Sequence, residues 1–410
     1  MDKKNIQLKR KEIIRFIGIA LAYLFGLSLQ WSPLLIRYRN VINTGDSELA
    51  DTTNMVIGEG TYSGFIIKNT TIRNGYGRYE TSTGSIYEGN WKDDILSYGT
   101  RTSKSSVYTG RFDEDMNNSG FGIISYSDQF IEEKTKQGIP DTDIIVKYIG
   151  NWKQNNKEGL GRSIKKDGSM DFGYYSQGVI QSDASKNYRI GGSVYGIDAS
   201  HFQNDIDWDN LALYCDKNGN VFRKESNDKT FLQPVFFVYL KATEGATIKD
   251  EMYEVRMIEA ERHGIVKGAY HFLHLGVPID SQLQNFQEIV SWNRGDLPPA
   301  LDVEVESEIE KYGIKALQSM ALEWLEKVEA KMGVRPVIYT RETIRNKYLN
   351  DSKFRKYQFW IARYSDNGPD NFDWQIWQKT ENGRIKGYNG DIDINLFRGN
   401  YDSFMKYLGN

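Results

Sequence analysis

Residues 298–306 read Pro298-Pro299-Ala300-Leu301-Asp302-Val303-Glu304-Val305-Glu306. Residues two apart on a strand share a face, so a strand here projects Asp302, Glu304 and Glu306 together with Val303 and Val305 behind them. Carboxylates crowded on an apolar strand repel one another, and crowding raises at least one pKa. A protonated acid beside ionised neighbours is the pairing that glycoside hydrolysis uses. The same residues also suit a solvated edge strand, or acids neutralised by Lys and Arg, and the motif alone leaves both readings open. Two further acidic motifs stand on apolar runs: Tyr195-Gly196-Ile197-Asp198-Ala199-Ser200-His201 and Asp391-Ile392-Asp393-Ile394-Asn395. The chain has four histidines, His201, His263, His271 and His274. Three of them beside carboxylates could bind zinc, but no helical His-Glu-x-x-His occurs, and histidines at strand ends serve equally as hydrogen-bonding groups; no metal and no other cofactor is expected.

The elements that must position these acids follow from the texture after Ser193. Eight apolar runs, at 194–199, 234–242, 266–273, 299–305, 336–340, 359–364, 374–377 and 392–397, read as strands. Between the fourth and fifth, Ile314, Leu317, Met320, Ala321, Trp324, Leu325, Val328 and Met332 recur at helical spacing, and Gly333 ends the helix. Strands alternating with helices over about 200 residues predict an α/β domain, an irregular, incomplete TIM-like (β/α) barrel with its site at the C-terminal strand ends. First and last strands of a closed barrel are neighbours, so Asp198 and Asp393 are expected to share one pocket facing Asp302 and Glu304.

The remainder of the chain is organised differently. Its 410 residues carry a net charge of -3, a single cysteine, Cys215, and 38 glycines. One cysteine excludes an intramolecular disulfide framework and a Cys-rich zinc site, and the lack of a general basic surface argues against nucleic acid. The charge is uneven: residues 1–15 carry six Lys/Arg against two Asp/Glu, while residues 193–410 carry 27 against 33. Behind the basic start, residues 16–36 are mostly apolar, long enough at about 1.5 Å per residue to cross a bilayer core of about 30 Å. The expectation is a cytoplasmic basic tail and transmembrane signal anchor over 1–37, a linker over 38–55, and export of everything beyond, giving a single-pass protein of the cell membrane. A cleaved signal peptide, which would make the protein secreted, is the rival reading.

Glycine is concentrated too, with 20 of the 38 between residues 55 and 192. A pattern Tyr-x-Gly-x-aromatic recurs at Tyr87, Tyr108 and Tyr148, and shortened at Tyr62; Gly75-Tyr76-Gly77, Gly120-Phe121-Gly122 and Gly159-Leu160-Gly161 follow. Such units predict β-hairpins, each too small to bury its own face, stacked over 56–185. They resemble MORN repeats, with an insertion near 127–145. The region reads as a spacer or packed platform, or as a binding face for glycan, protein or lipid.

The C-terminal motifs carry a second resemblance. Gly196-Ile197-Asp198-Ala199-Ser200 with Ile206-Asp207-Trp208, Phe237 to Lys241-Ala242-Thr243-Glu244-Gly245, Gly268-Ala269-Tyr270-His271-Phe272, Leu301-Asp302-Val303-Glu304, Trp360-Ile361-Ala362-Arg363-Tyr364 and Asp393-Ile394-Asn395 occur in this order. Together they resemble glycoside hydrolase family 25, the Chalaropsis-type lysozymes, across 193–410. The resemblance implies N-acetylmuramidase activity on peptidoglycan. It assigns Glu304 as general acid, Asp302 as its partner carboxylate, and Asp198 and Asp393 as further cleft acids, with retention through the substrate's acetamido group. Tyr270, Tyr339, Trp360, Tyr364 and Trp377 become candidate sugar-binding residues, each equally suited to core packing, and Glu306 a rim residue. The alternative is a catalytically silent peptidoglycan-binding protein, or a scaffold in which the repeats are the working part.

Overall fold

The computed structural model describes residues 49–181, 193–224, 226–227, 231–370 and 374–409. These form two compact units that part between Ser103 and Lys104. The transmembrane anchor expected over residues 1–37 lies outside the described residues; among the described residues no helix is long and apolar enough to cross a membrane.

The first unit is an antiparallel meander of β1 (Leu49–Ile57), β2 (Gly60–Ile67), β3 (Arg73–Glu80), β4 (Ile86–Lys92) and β5 (Ile95–Thr102). The second opens with the same architecture: β6 (Ser106–Phe112), β7 (Asn118–Tyr126), β8 (Ile145–Lys153), β9 (Asn156–Lys165), β10 (Met170–Ser176) and β11 (Val179–Ile180). The insertion between β7 and β8 holds helix α1 (Asp128–Lys136), whose first turn is capped by the Ser127 side chain.

The repeat motif has a mechanical reason. The ring of Tyr148 lies across Gly161 so closely that a Cβ there would stand 2.3 Å from its hydroxyl, and Tyr108 lies across Gly122 in the same way. Each tyrosine donates to a carbonyl three residues on, Tyr108 to Arg111 at 2.8 Å and Tyr148 to Asn151 at 3.1 Å. Trp152 meets both rings edge-on and donates to Gly122 O at 3.2 Å. The glycines are therefore needed for the close approach of a ring.

The hydrolytic motifs fall on β12 (Val194–Ala199), β13 (Ala212–Cys215), β14 (Phe231–Pro234), β15 (Phe237–Glu244), β16 (Ile248–Lys249), β17 (Val266–Phe272), β18 (Ala300–Val303), β19 (Val337–Arg341), β20 (Gln358–Ala362), β21 (Trp374–Lys386) and β22 (Tyr388–Phe397). Eight of these close a barrel in the order β12-β15-β17-β18-β19-β20-β21-β22 and back to β12. The interior core of Phe237, Tyr239, Ala300, Val337, Trp360, Ile376 and Phe397 is closed at one end by Phe404 and Leu408 of α7 (Tyr401–Gly409). Alternate residues face outward, where Ile197, Val238, Leu240, Leu301, Ile338 and Ile361 form the larger core. Burial on both faces is why these strands read as continuous apolar runs.

This corrects the expected fold class. The domain is not the irregular, incomplete TIM-like (β/α) barrel expected, but a strand-dominated barrel with few helices among the described residues. The described helices between barrel strands are α2 (Tyr253–Arg262), α3 (Ile279–Ile289), α4 (Glu306–Tyr312), α5 (Ile314–Met332) and α6 (Glu342–Tyr348), and they serve only the links from β15 to β20. β12 and β15 are joined through the β13–β14 hairpin, and β22 runs antiparallel to both its neighbours. The physical reason lies in the links: Gly387, at φ +91°, turns β21 straight into β22, where a parallel crossover needs a dozen or more residues. The polar segment at 378–391 is thus a hairpin arm that apolar periodicity does not reveal.

Candidate active site

Asp198 stands next to the end of β12, opposite Asp393 across the β12–β22 ladder. Its Oδ2 accepts Nδ2 of Asn395 at 2.7 Å and Nε2 of Gln378 at 3.0 Å. Both amides are themselves oriented. Trp360 Nε1 donates to Asn395 Oδ1 at 2.7 Å, while the hydroxyls of Tyr339 and Tyr364 donate to Gln378 Oε1 at 2.9 and 3.0 Å. These donors fix which way each amide points. Trp360 is in turn stacked on Tyr239 at 4.5 Å and crossed edge-on by Tyr339 at 4.5 Å.

Four carboxyl groups gather at this end of the barrel, and all have raised pKa values. Burial pushes Asp393 up to about 10, helped by the adjacent charge of Asp198 and the hydrogen bond between them. Burial raises Asp198 as well, but its bonds from Asp393, Asn395 and Gln378 favour the ionised form. The hydrogen bond between them therefore places the shared proton on Asp393 in preference to Asp198. Asp302 lies well above the usual carboxylate range because it is buried, and the charge of Glu304 adds to this. Its Oδ1 is buried with no hydrogen-bond partner among the described residues. Glu304 is raised by burial, partly countered by the Arg341 cation. Tyr270 sits among all four acids, and burial followed by their charges keeps its hydroxyl protonated.

The remaining residues singled out in the sequence are distributed differently. The strand carrying Asp302 ends at Val303, so Glu306 does not share its face; it opens helix α4, where it is half exposed and bonded to Lys347 and Tyr348. Trp377 lies between the inward-facing Ile376 and Gln378 and therefore points out of the barrel, donating to Arg363 O at 2.8 Å. Trp360 and Tyr339 are buried beneath the acids and orient amides, whereas Tyr364 keeps an exposed ring. His271 is fully buried, held neutral by a pKa pushed down to about 4 by burial, and bonded to Thr243 and Gln282. His274 bridges Glu244 and Glu308 at 2.9 and 2.8 Å; burial opposes its charge, but the two carboxylates outweigh it and raise its pKa. His201 bonds Asp250. Among the described residues no group of three His, Cys, Asp or Glu is arranged to hold a metal.

Gln378, Arg341, Tyr239 and Glu381 were not singled out by sequence reasoning. Gln378 carried one signal, a polar residue two beyond Ile376 on an apolar strand. Arg341 and Glu381 gave none, since their charges approach Glu304 only once the strands are paired, Arg341 from the neighbouring β19 and Glu381 from the β21 arm.

Comparison with known proteins gives these observations a class. The model of glycosyl hydrolases family 25 matches residues 197–388, and that of the MORN repeat matches residues 87–105 and 148–170. The uncharacterized protein YegX of Escherichia coli (strain K12) is 31% identical over 218 residues, 53% of this chain and 74% of that protein. Lysozyme M1 of Streptomyces globisporus is 29% identical over 232 residues, 53% of this chain and 72% of the relative. Among solved structures, the bacterial lysozyme from Streptomyces coelicolor is 26% identical, covering 53% of this chain and 97% of its own, with a TM-score of 0.44. The acid-lined barrel mouth, within the region matched by the glycosyl hydrolase family 25 model, is that of a glycoside hydrolase. The chain belongs to glycosyl hydrolases family 25 and carries MORN repeats ahead of its catalytic barrel.

Proposed function

We propose that the protein is an N-acetylmuramidase that hydrolyses the β-1,4 bond between N-acetylmuramic acid and N-acetylglucosamine in peptidoglycan. The observation that carries this reading is the gathering of Asp198, Asp302, Glu304 and Asp393 at one barrel end with raised pKa values. Glu304, whose carboxyl pKa is raised by burial, donates its proton to the leaving oxygen as the glycosidic bond breaks. The substrate's acetamido oxygen closes on the anomeric carbon. Asp302 accepts the acetamido N–H, a role supported by its unpartnered Oδ1; the amide N–H groups of Gln378 and Asn395 both donate to Asp198 instead. Water then opens the intermediate, with the Glu304 carboxylate taking its proton, and configuration is retained.

The basic residues 9–15 followed by an apolar run support action on the exported side of the envelope, where peptidoglycan lies. Sequencing the N-terminus of protein recovered from envelope and medium tests that location. The reaction itself is tested by digesting purified peptidoglycan and reducing the products with borohydride. Reduced muramic acid is the expected new end; reduced glucosamine ends, or none, would refute the assignment.

A further inference from the structure

We propose that strands β6–β10 of the repeat region are a working part of the hydrolase, holding the β21–β22 arm and thereby setting Gln378, Asp393 and Asn395 at the barrel mouth. This rests on the hydrolase reading given above. The arm needs outside support: its ladder is broken between Gln378 and Thr380, between Thr380 and Gly383, and between Gly383 and Ile385. A two-stranded ribbon with three such irregularities has little stability of its own.

The support runs through two routes, both ending on the repeats. In the first, the turn of the arm is seated on the segment that follows β12. Asp207 N donates to Gly387 O at 2.7 Å, and a Cβ on Gly387 would stand 2.6 Å from Asp207 O. Two residues on, Asp209 is held from the repeat side: its carboxylate pairs with Arg111 at 3.0 Å and its carbonyl accepts Asn151 Nδ2 at 3.1 Å. His263, 2.8 Å from the other carboxylate oxygen, lies against the ring of Phe121 at 4.1 Å. In the second route, Lys386 at the end of β21 pairs with Ala212 of β13 and bonds the hydroxyl of Tyr174 on β10. Ala212 and Leu232 of the β13–β14 hairpin share one buried cluster with Leu160 and Phe172 of the repeats. Arg162 anchors the contact, 8% exposed, with its guanidinium on Gly264 O. A buried guanidinium and a buried apolar cluster mark a permanent contact, since a mobile spacer would leave both in water.

The partner of this repeat face is therefore the hydrolase itself. The test is hydrogen exchange and peptidoglycan hydrolysis on the full chain, comparing wild type with Phe172→Asp and the milder Arg162→Ala. Phe172→Asp puts a carboxylate into the buried apolar cluster. The arm at 378–392 and the segment at 207–212 are expected to exchange at least about tenfold faster while β17–β20 keep wild-type protection, and kcat/KM falls by about tenfold or more. Wild-type protection of the arm in both variants overturns the proposal, whether or not the repeats have detached. So does a loosened arm with unchanged kcat/KM. If the wild type does not cut peptidoglycan, the substrate assignment fails, and the exchange comparison still decides whether the repeats hold the arm.

Discussion

Asp393→Asn should make the protein more stable at neutral pH while lowering its activity. In the folded state burial and Asp198 hold the Asp393 pKa near 10, whereas an unfolded aspartate releases its proton near its ordinary value of 3.8. Between those limits the native state binds a proton that the unfolded chain does not, so stability falls as pH rises. The slope approaches about 1.4 kcal/mol per pH unit, which over roughly three units to pH 7 sets a ceiling of about 4 kcal/mol. Asparagine has no proton to hold, and its amide still donates to Asp198. We expect a gain of about 1–3 kcal/mol at pH 8 and almost none at pH 4, the discount reflecting relaxation around the pair. Urea midpoints at both pH values measure this. A variant less stable than wild type at pH 8, or midpoints with the same pH dependence as wild type, would refute the proposed protonation of the pair.

Other perturbations separate electrostatics from packing. Arg341→Ala removes the cation that holds the Glu304 pKa down, so the alkaline limb of the kcat/KM profile should move to higher pH; no movement, or movement to lower pH, contradicts the general-acid role. Trp360→Ala removes a ring that is 2% exposed and orients Asn395, so the urea midpoint should drop by the equivalent of about 3–5 kcal/mol, in contrast to a surface sugar platform, whose loss raises KM alone. Gly161→Ala forces a Cβ against Tyr148 and should destabilise the repeats by about 1–3 kcal/mol, read as faster exchange in β8 and β9.

The strands that build the site were legible because they are buried on both faces; Phe237, Val238, Tyr239 and Leu240 form an unbroken apolar run. The convergence of Asp198 on Asp393 was also legible, since closure makes the first and last strands neighbours. The β21–β22 arm was not, because residues 378–391 are polar and its turn depends on a single glycine. The side on which Trp377 lies depends on strand register, which apolar texture leaves undefined by one residue. Glu306 was misplaced for a related reason: the acidic alternation continues past Val303, where the backbone has already turned into a helix. A packed platform was one reading of the repeats, but the residues that dock them on the barrel were not legible, as Leu160 and Phe172 are indistinguishable from the repeats' own core until Ala212 and Leu232 are seen beside them.

The most direct test of the account is the release of reducing ends from peptidoglycan by the full-length protein and by Glu304→Gln. The account predicts muramic acid ends from the wild type and, with its proton donor removed, a rate at least about a hundredfold lower from a variant that still binds the glycan and unfolds at the same urea concentration. Equal rates from the two proteins would contradict it.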